Sequence, residues 1–153
     1  MRIVILYGTE SGNAELVADD VAEMLSDRFD VRTHDMSGAD PSDLSTDDFF
    51  LVICSTHGDG ELPSGARPFA EALDRDQPDL AGVRYAVFGL GDSSYDTYSR
   101  GSELIDDRLR ALGAERVGPY GRHDASSRDV PSDLAKQWAA DVLAALSSGN
   151  IAQ

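Results

Sequence analysis

The chain is poor in cysteine and lysine and has no long apolar run, and each of these absences excludes a class of protein. Cys54 is the only cysteine, so the chain cannot form an internal disulfide. It lies in an apolar run at residues 49–54 and is therefore expected to be a buried core residue rather than a reactive thiol. No run approaches the ~20 apolar residues of a membrane-spanning helix. Because residues 1–7 lead directly into a strand pattern, we expect no signal peptide and a cytoplasmic location.

Basic residues are also scarce. The sequence has 28 acidic and 13 basic residues, a net charge of −15, and Lys136 is its single lysine. Such a charge disfavours binding to nucleic acid and to anionic membranes, and it favours binding to proteins with basic patches. A lysine-poor surface rich in aspartate also suits a salt-rich cytoplasm, where hydrated carboxylates keep a protein in solution. The sequence leaves both explanations open.

Apolar runs alternate with helical periodicities along the whole chain. Near-continuous apolar runs are typical of parallel strands buried on both faces, and spacings of three and four residues are typical of helices. Strands are predicted at residues 2–7, 31–36, 49–55, 84–89 and 116–120. Helices are predicted at residues 14–28, 63–73, 97–112 and 131–146. This alternation predicts one three-layer α/β domain at residues 1–147, doubly wound around a five-stranded parallel sheet of order 2-1-3-4-5, and a tail at residues 148–153.

Three polar loops follow the predicted first, third and fourth strands, at residues 7–13, 55–60 and 89–95. The carboxyl ends of parallel strands converge on one crevice, which is where ligands bind in such sheets. The second and third loops each place a flat side chain there, His57 and Tyr95, on either side of a possible ring. Gly58 can present either its C=O or its N–H to a ligand edge, because it has no Cβ. The loops together predict a pocket for a planar molecule with a phosphate tail.

The first loop has the chemistry of a phosphate cradle. It leads into the first predicted helix, whose free backbone N–H groups and dipole favour an anion. Thr9, Ser11 and Asn13 add polar donors, and Gly8 and Gly12 permit a tight turn. The alternative is that these polar residues only cap the helix. The chain lacks the glycine–lysine pattern of triphosphate sites and the Gly-x-Gly-x-x-Gly pattern of dinucleotide sites.

These three loops resemble the FMN loops of the flavodoxin superfamily, and more narrowly those of the FMN-binding domains of diflavin reductases. The segments that carry the resemblance are residues 7–15, 55–61 and 88–95, the last being similar to the flavoprotein subunit of sulfite reductase. The likeness extends over essentially the whole chain. Diflavin reductases continue into FAD and NADPH modules, whereas this chain has 153 residues. It therefore also resembles free-standing short flavodoxins and the MioC group of small FMN proteins.

The resemblance implies a cofactor, FMN, and a set of residues that hold it. Residues 9–14 would wrap the phosphate, residues 55–58 and 90–99 would lie on the two sides of the ring, and Tyr95 would stack on one face. His57 departs from the family, in which many members have an aromatic residue at this position. The full set of implied contacts is Thr9, Glu10, Ser11, Gly12, Asn13, Ala14, Ser55, Thr56, His57, Gly58, Asp59, Gly60, Leu90, Gly91, Asp92, Ser93, Ser94, Tyr95, Tyr98, Ser99 and Asp124.

The resemblance further implies an electron carrier with no catalytic residue and no metal of its own. It would act as a monomer between a separate reductase and an acceptor, both of them flavin- or iron–sulfur-dependent redox proteins. The alternatives are a small flavoenzyme that reduces its substrate directly and a protein-binding module without FMN. A phospho-acceptor signalling domain shares the topology, but it needs carboxylates after the first and third strands and a lysine after the fifth, which this chain lacks.

Overall fold

Strands and helices alternate along the chain in the computed structural model, which describes residues 1–57, 60–91 and 100–147. The strands are β1 (Arg2–Gly8), β2 (Asp30–Asp35), β3 (Asp48–Ser55), β4 (Arg84–Gly91), β5 (Glu115–Arg116) and β6 (Gly121–Asp124). The helices are α1 (Asn13–Leu25), α2 (Arg67–Asp76), α3 (Arg100–Ala111) and α4 (Pro131–Ser147). Two short 3₁₀ turns, Met36–Gly38 and Pro41–Asp43, follow β2.

All strand pairs of the sheet are parallel, and the strand order is β2-β1-β3-β4-β5, with β6 also paired to β4. The predicted fold class and the order 2-1-3-4-5 are therefore confirmed. In register, Gly8 lies opposite Cys54, and Cys54 lies opposite Gly89. The carboxyl ends of β1, β3 and β4 thus meet at one edge of the sheet, and this edge carries the three loops.

Each face of the sheet is covered by a pair of helices. Along β1, Ile3 and Ile5 face a core that includes residues of α1 and α4, whereas Val4 and Leu6 face a core that includes residues of α2 and α3. This alternation follows from the two-residue period of a strand, and it requires apolar residues on both faces. Cys54 is fully buried, and burial raises the pKa of its thiol to about 12, so the prediction of a core cysteine is confirmed.

The edge strand differs from the prediction. The sequence predicts one strand at residues 116–120, but the structure has two short segments: β5 ends at Arg116 and β6 begins at Gly121. Val117 still donates to the carbonyl of Tyr85 at 2.8 Å. Pro119 has no N–H to donate, and its carbonyl accepts from Nε1 of Trp138 on α4 at 3.0 Å. The fifth position in the sheet is therefore filled by an interrupted strand.

Two helix boundaries also differ from those that the sequence periodicities predict. The second helix was predicted from residue 63, yet α2 begins at Arg67, because the backbone N–H groups of Ser64 and Gly65 are bonded to the first loop instead. The first helix ends at Leu25 rather than at residue 28. Within the described ranges, no helix is both long and apolar enough to cross a membrane.

Candidate functional site

The first loop leaves the N-terminus of α1 open. Gly12 has φ 97°, a left-handed conformation that glycine adopts without strain, and no side chain of the described residues caps the helix. The Thr9 hydroxyl instead accepts from the backbone N–H of Gly12 at 2.8 Å, which fixes the turn just before the helix. Ser11 and Asn13 are exposed. The first N–H groups of a helix have no partner within it, so this end of α1 can receive an anion.

Glu10 joins the first loop to the segment after the second loop. Its carboxylate accepts from the backbone N–H of Ser64 at 2.7 Å and from the Ser64 hydroxyl at 3.2 Å. The hydrogen bond from the Ser64 backbone, and the nearby His57 ring, hold the pKa of the Glu10 carboxyl below its ordinary value. A backbone hydrogen bond joins the same two segments, since the N–H of Gly65 donates to the carbonyl of Thr9 at 3.1 Å. Glu10 therefore points to the second loop and not into the anion site.

The second loop is tied to the sheet, and an antiparallel bridge joins His57 to Glu61. Thr56 donates its backbone N–H to the carbonyl of Leu90 at 2.9 Å. His57 and Glu61 exchange backbone hydrogen bonds of 2.8 and 2.9 Å as an antiparallel bridge. The His57 ring is half-exposed, and its Nδ1 lies 3.6 Å from Oε1 of Glu10. The structure thus brings predicted residues of two different loops, Glu10 and His57, into direct contact.

The third loop leaves the end of β4 beside β6. Leu90 is 7% exposed, so most of its side chain belongs to the core. Gly91 is paired in register with Asp124, and its carbonyl accepts from the N–H of Ala125 at 2.7 Å. The Asp124 carboxylate accepts from the backbone N–H of Ser126 at 2.9 Å and from its hydroxyl at 2.7 Å. Asp124 therefore lies at the same edge of the sheet as the predicted site.

The predicted site residues fall into two groups. Those of the described ranges lie at the carboxyl edge of the sheet, in the loops that leave it or in the first turn of α1: Thr9, Glu10, Ser11, Gly12, Asn13, Ala14, Ser55, Thr56, His57, Gly60, Leu90, Gly91 and Asp124. The others lie outside the described residues: Gly58, Asp59, Asp92, Ser93, Ser94, Tyr95, Tyr98 and Ser99.

Sequence reasoning missed Ser64 and Gly101, which position the loops. Gly101 donates its backbone N–H to the Thr56 hydroxyl at 2.9 Å. A Cβ on Gly101 would collide with the carbonyl oxygen of Ser55, so only glycine permits this approach of α3 to the second loop. A glycine at the start of a helical pattern is the signal that points to such a close contact. Ser64 gives no comparable signal, because its partner lies 54 positions away.

Comparison with known proteins identifies the family. A family model for flavodoxin matches residues 5–138. The chain belongs to the flavodoxin family. It is 35% identical to protein MioC of Escherichia coli (strain K12) over 136 residues, which is 89% of this chain and 92% of MioC. It is 36% identical to a solved flavodoxin of Pseudomonas aeruginosa, a cysteine-to-serine mutant, covering 96% of this chain and 99% of that one, with a TM-score of 0.84.

Longer proteins also match. The sulfite reductase [NADPH] flavoprotein alpha-component of Thiocapsa roseopersicina is 37% identical over 149 residues, which is 96% of this chain but 28% of that protein. The chain therefore spans about a quarter of that relative's length. As a member of the flavodoxin family, the protein binds FMN and functions in electron transfer.

The described residues fit this cofactor. The phosphate of FMN is an anion, and the N-terminus of α1 offers backbone N–H groups that no side chain within residues 1–57, 60–91 and 100–147 caps. In that part of the chain no atom lies within 4 Å of a Cβ added to Gly12, which leaves space beside the helix end. Thr9 and Glu10 are bonded to backbone groups of the loops, and their side chains therefore shape the cradle without filling it.

Proposed function

We propose that this flavodoxin-family protein is a carrier of single electrons between a separate reductase and acceptor redox proteins, with FMN held across the carboxyl edge of its sheet. The observation that carries the proposal is the open N-terminus of α1 at an edge where the first loop is bonded to Ser64, and Thr56 of the second loop to Leu90 and Gly101. The loop at residues 9–14 binds the phosphate, with the Glu10 side chain turned away toward Ser64, and the second and third loops hold the ring. Asp124 takes part from β6, which lies beside the third loop.

When bound, FMN supplies one- and two-electron redox chemistry, while the protein supplies binding, orientation and electrostatics. The first turn of α1 neutralises part of the phosphate charge through its N–H groups and dipole. The carboxylates of Glu10, Glu61 and Asp124 surround the loops. Negative charge near a redox group opposes the addition of an electron, so we expect these carboxylates to lower the reduction potential.

We propose partners that are flavin- or iron–sulfur-dependent redox proteins with basic patches, which this protein meets as a monomer. The net charge of −15 supports electrostatic attraction to such a surface. A relative that is the flavoprotein component of a reductase supports a redox partner. The cytoplasmic location stays a prediction.

Titration with FMN and with riboflavin tests the proposed site, since the two molecules differ only in the phosphate. We expect saturable uptake of FMN by the apoprotein and binding of riboflavin that is at least about tenfold weaker. Equal binding of both would contradict the phosphate site at α1. A lack of saturable FMN uptake, even at high salt, would contradict the whole proposal.

A kinetic experiment separates the carrier from a flavoenzyme that reduces its substrate directly. The protein is reduced anaerobically and then mixed with either an oxidised redox protein or small quinones. We expect fast reoxidation by the redox protein and slow reoxidation by the quinones. The reverse order of rates would favour the flavoenzyme.

A further inference from the structure

Three consecutive residues at the start of α3 each form a hydrogen bond with a different part of the chain. Gly101 is bonded to Thr56 of the second loop, as described above. The hydroxyl of Ser102, which is fully buried, forms a 2.5 Å hydrogen bond with the hydroxyl of Tyr120. The carboxylate of Glu103 accepts from Nη2 of Arg122 at 3.1 Å. The first described turn of α3 therefore connects the second loop to the interrupted edge strand.

Tyr120 occupies the interruption between β5 and β6, and two guanidinium groups lie close to its ring. The guanidinium of Arg122 lies 4.0 Å from the ring centroid, and that of Arg116 lies 5.2 Å from it. Such cation–π contacts are stronger where the groups are partly shielded from water. Burial raises the pKa of the Tyr120 hydroxyl to about 12, so this hydroxyl stays protonated at neutral pH. The ring is thus fixed with its hydroxyl directed at Ser102.

Arg116 is fixed in turn by a buried carboxylate. Its Nη1 donates to Asp106 of α3 at 2.6 Å, and the same carboxylate accepts from the Tyr85 hydroxyl of β4 at 2.5 Å. Asp106 is 4% exposed, and it lies one turn after Ser102 on the same helix. Tyr85 of β4, Asp106 and Arg116 thus form a chain of contacts that ends at the Tyr120 ring, so buried residues of the core fix the position of Tyr120.

We infer that Tyr120 is a positioning residue for the FMN site, and that its bond to Ser102 sets the start of α3 and thereby the second loop. The inference rests on the proposed placement of the ring against that loop. Tyr120 bonds to Ser102, and the next residue, Gly101, bonds to Thr56 of the second loop, so Gly101 and Thr56 relay its effect. A change at Tyr120 should therefore alter FMN affinity and reduction potential from a distance.

The test compares three single variants of the full chain and the double variant of Tyr120→Phe with Ser102→Ala. Tyr120→Phe and Ser102→Ala each remove one hydroxyl of this hydrogen bond. Ser132→Ala is the matched control, because Ser132 also lies in the first turn of a helix and its hydroxyl donates to Asp20 at 2.5 Å, on the opposite face of the sheet. Each apoprotein is titrated with FMN, and the midpoint potential of the loaded protein is measured by spectroelectrochemistry.

We expect Tyr120→Phe and Ser102→Ala to weaken FMN binding by about fivefold each, as for the loss of one hydrogen bond. The double variant should bind no more weakly than Ser102→Ala, because Ser102→Ala already removes the interaction that Tyr120→Phe removes. Their midpoint potentials should shift from the wild-type value, and that of Ser132→Ala should not. Amide exchange of residues 101–103 in the apoprotein should become faster in Tyr120→Phe, which gives a readout that does not need FMN.

The outcomes that overturn the inference are distinct from those that overturn the proposed function. Wild-type affinity and potential in both Tyr120→Phe and Ser102→Ala would overturn it, and so would an equal loss in Ser132→Ala, which would indicate general destabilisation. If Tyr120→Phe fails to fold, Ser102→Ala alone decides by the same criteria. A wild-type protein that takes up no FMN would overturn the proposed function, and this inference with it.

Discussion

The carboxylate of Glu10 accepts a hydrogen bond of 2.7 Å from the backbone N–H of Ser64, a residue 54 positions further along the chain. Next to it, Gly65 donates to the carbonyl of Thr9 at 3.1 Å. These two contacts hold the loop after β1 against the segment that follows the second loop. The shape of the candidate FMN site therefore depends on an ionisable side chain that points away from the anion cradle.

Replacement of Glu10 by Gln should remove part of the acid sensitivity of the protein. The Ser64 hydrogen bond lowers the pKa of Glu10 from its ordinary value of 4.5, so the folded state binds this proton less readily than the unfolded state does. The resulting stability is complete above pH 4.5 and is lost as pH falls through the lower, folded-state pKa. Melting temperatures measured between about pH 6 and about pH 3 should fall more steeply for the wild type than for Glu10→Gln. Parallel curves would contradict this prediction.

Replacement of Gly12 by Ala should weaken FMN binding more than riboflavin binding. At φ 97° a side chain is strained, although nothing lies within 4 Å of the added Cβ. We expect a loss of about 1 kcal/mol in the free energy of unfolding and a displaced phosphate cradle. Gly38→Ala is the control, because Gly38 also has open space around it but no positive φ. If both variants lose FMN affinity equally, the left-handed turn has no special role.

The sheet could be predicted from the sequence because its central strands are buried on both faces. Residues 49–54 form a continuous apolar run, and every one of them is buried in β3. That prediction required only the residues of the strand itself, with no knowledge of their contacts elsewhere in the chain. The five-stranded order follows in the same way from the alternation of such runs with amphipathic helices.

The loop contacts could not be predicted, because each joins residues far apart in sequence. The pattern after the second loop indicated a helix from residue 63, but tertiary hydrogen bonds to Thr9 and Glu10 delay it to Arg67. Tyr120 was predicted to lie within an edge strand, yet it fills a break in that strand, where two arginines hold its ring. Local propensity contains no information on either arrangement.

Replacement of Asp106 by Asn should be among the more destabilising single changes. Asp106 is buried, and it bonds both Tyr85 and Arg116, so the change leaves the guanidinium of Arg116 without its counter-charge. Loss of one partner of a buried ion pair costs about 3 kcal/mol, measurable by urea unfolding. Asp76→Asn is the matched control, since Asp76 pairs with Arg75 on the surface and little change is expected. Similar losses in both variants would contradict a special role for the buried pair.

The acidic surface should make stability depend on salt. A net charge of −15 with Lys136 as the only lysine leaves many carboxylates without a basic neighbour, so the folded chain repels itself. Raising KCl from about 0.01 to about 1 M shortens the Debye length from ~30 to ~3 Å, and the melting temperature should rise. Near the sequence pI of about 4.3 the net charge vanishes, and the rise from this screening should vanish with it. A melting temperature that does not change with KCl concentration at neutral pH would contradict adaptation to salt.

The same salt series separates adaptation from docking, because screening acts on the two with opposite sign. Screening of repulsion within the chain raises its melting temperature. Screening of attraction between the carboxylates and a basic redox partner lowers the rate constant for electron transfer, by about tenfold or more over this range for a strongly steered encounter. We expect both changes, measured by calorimetry and by stopped-flow reoxidation of the reduced protein. A rate constant independent of salt would mean that the carboxylates serve solubility and not recognition of the partner.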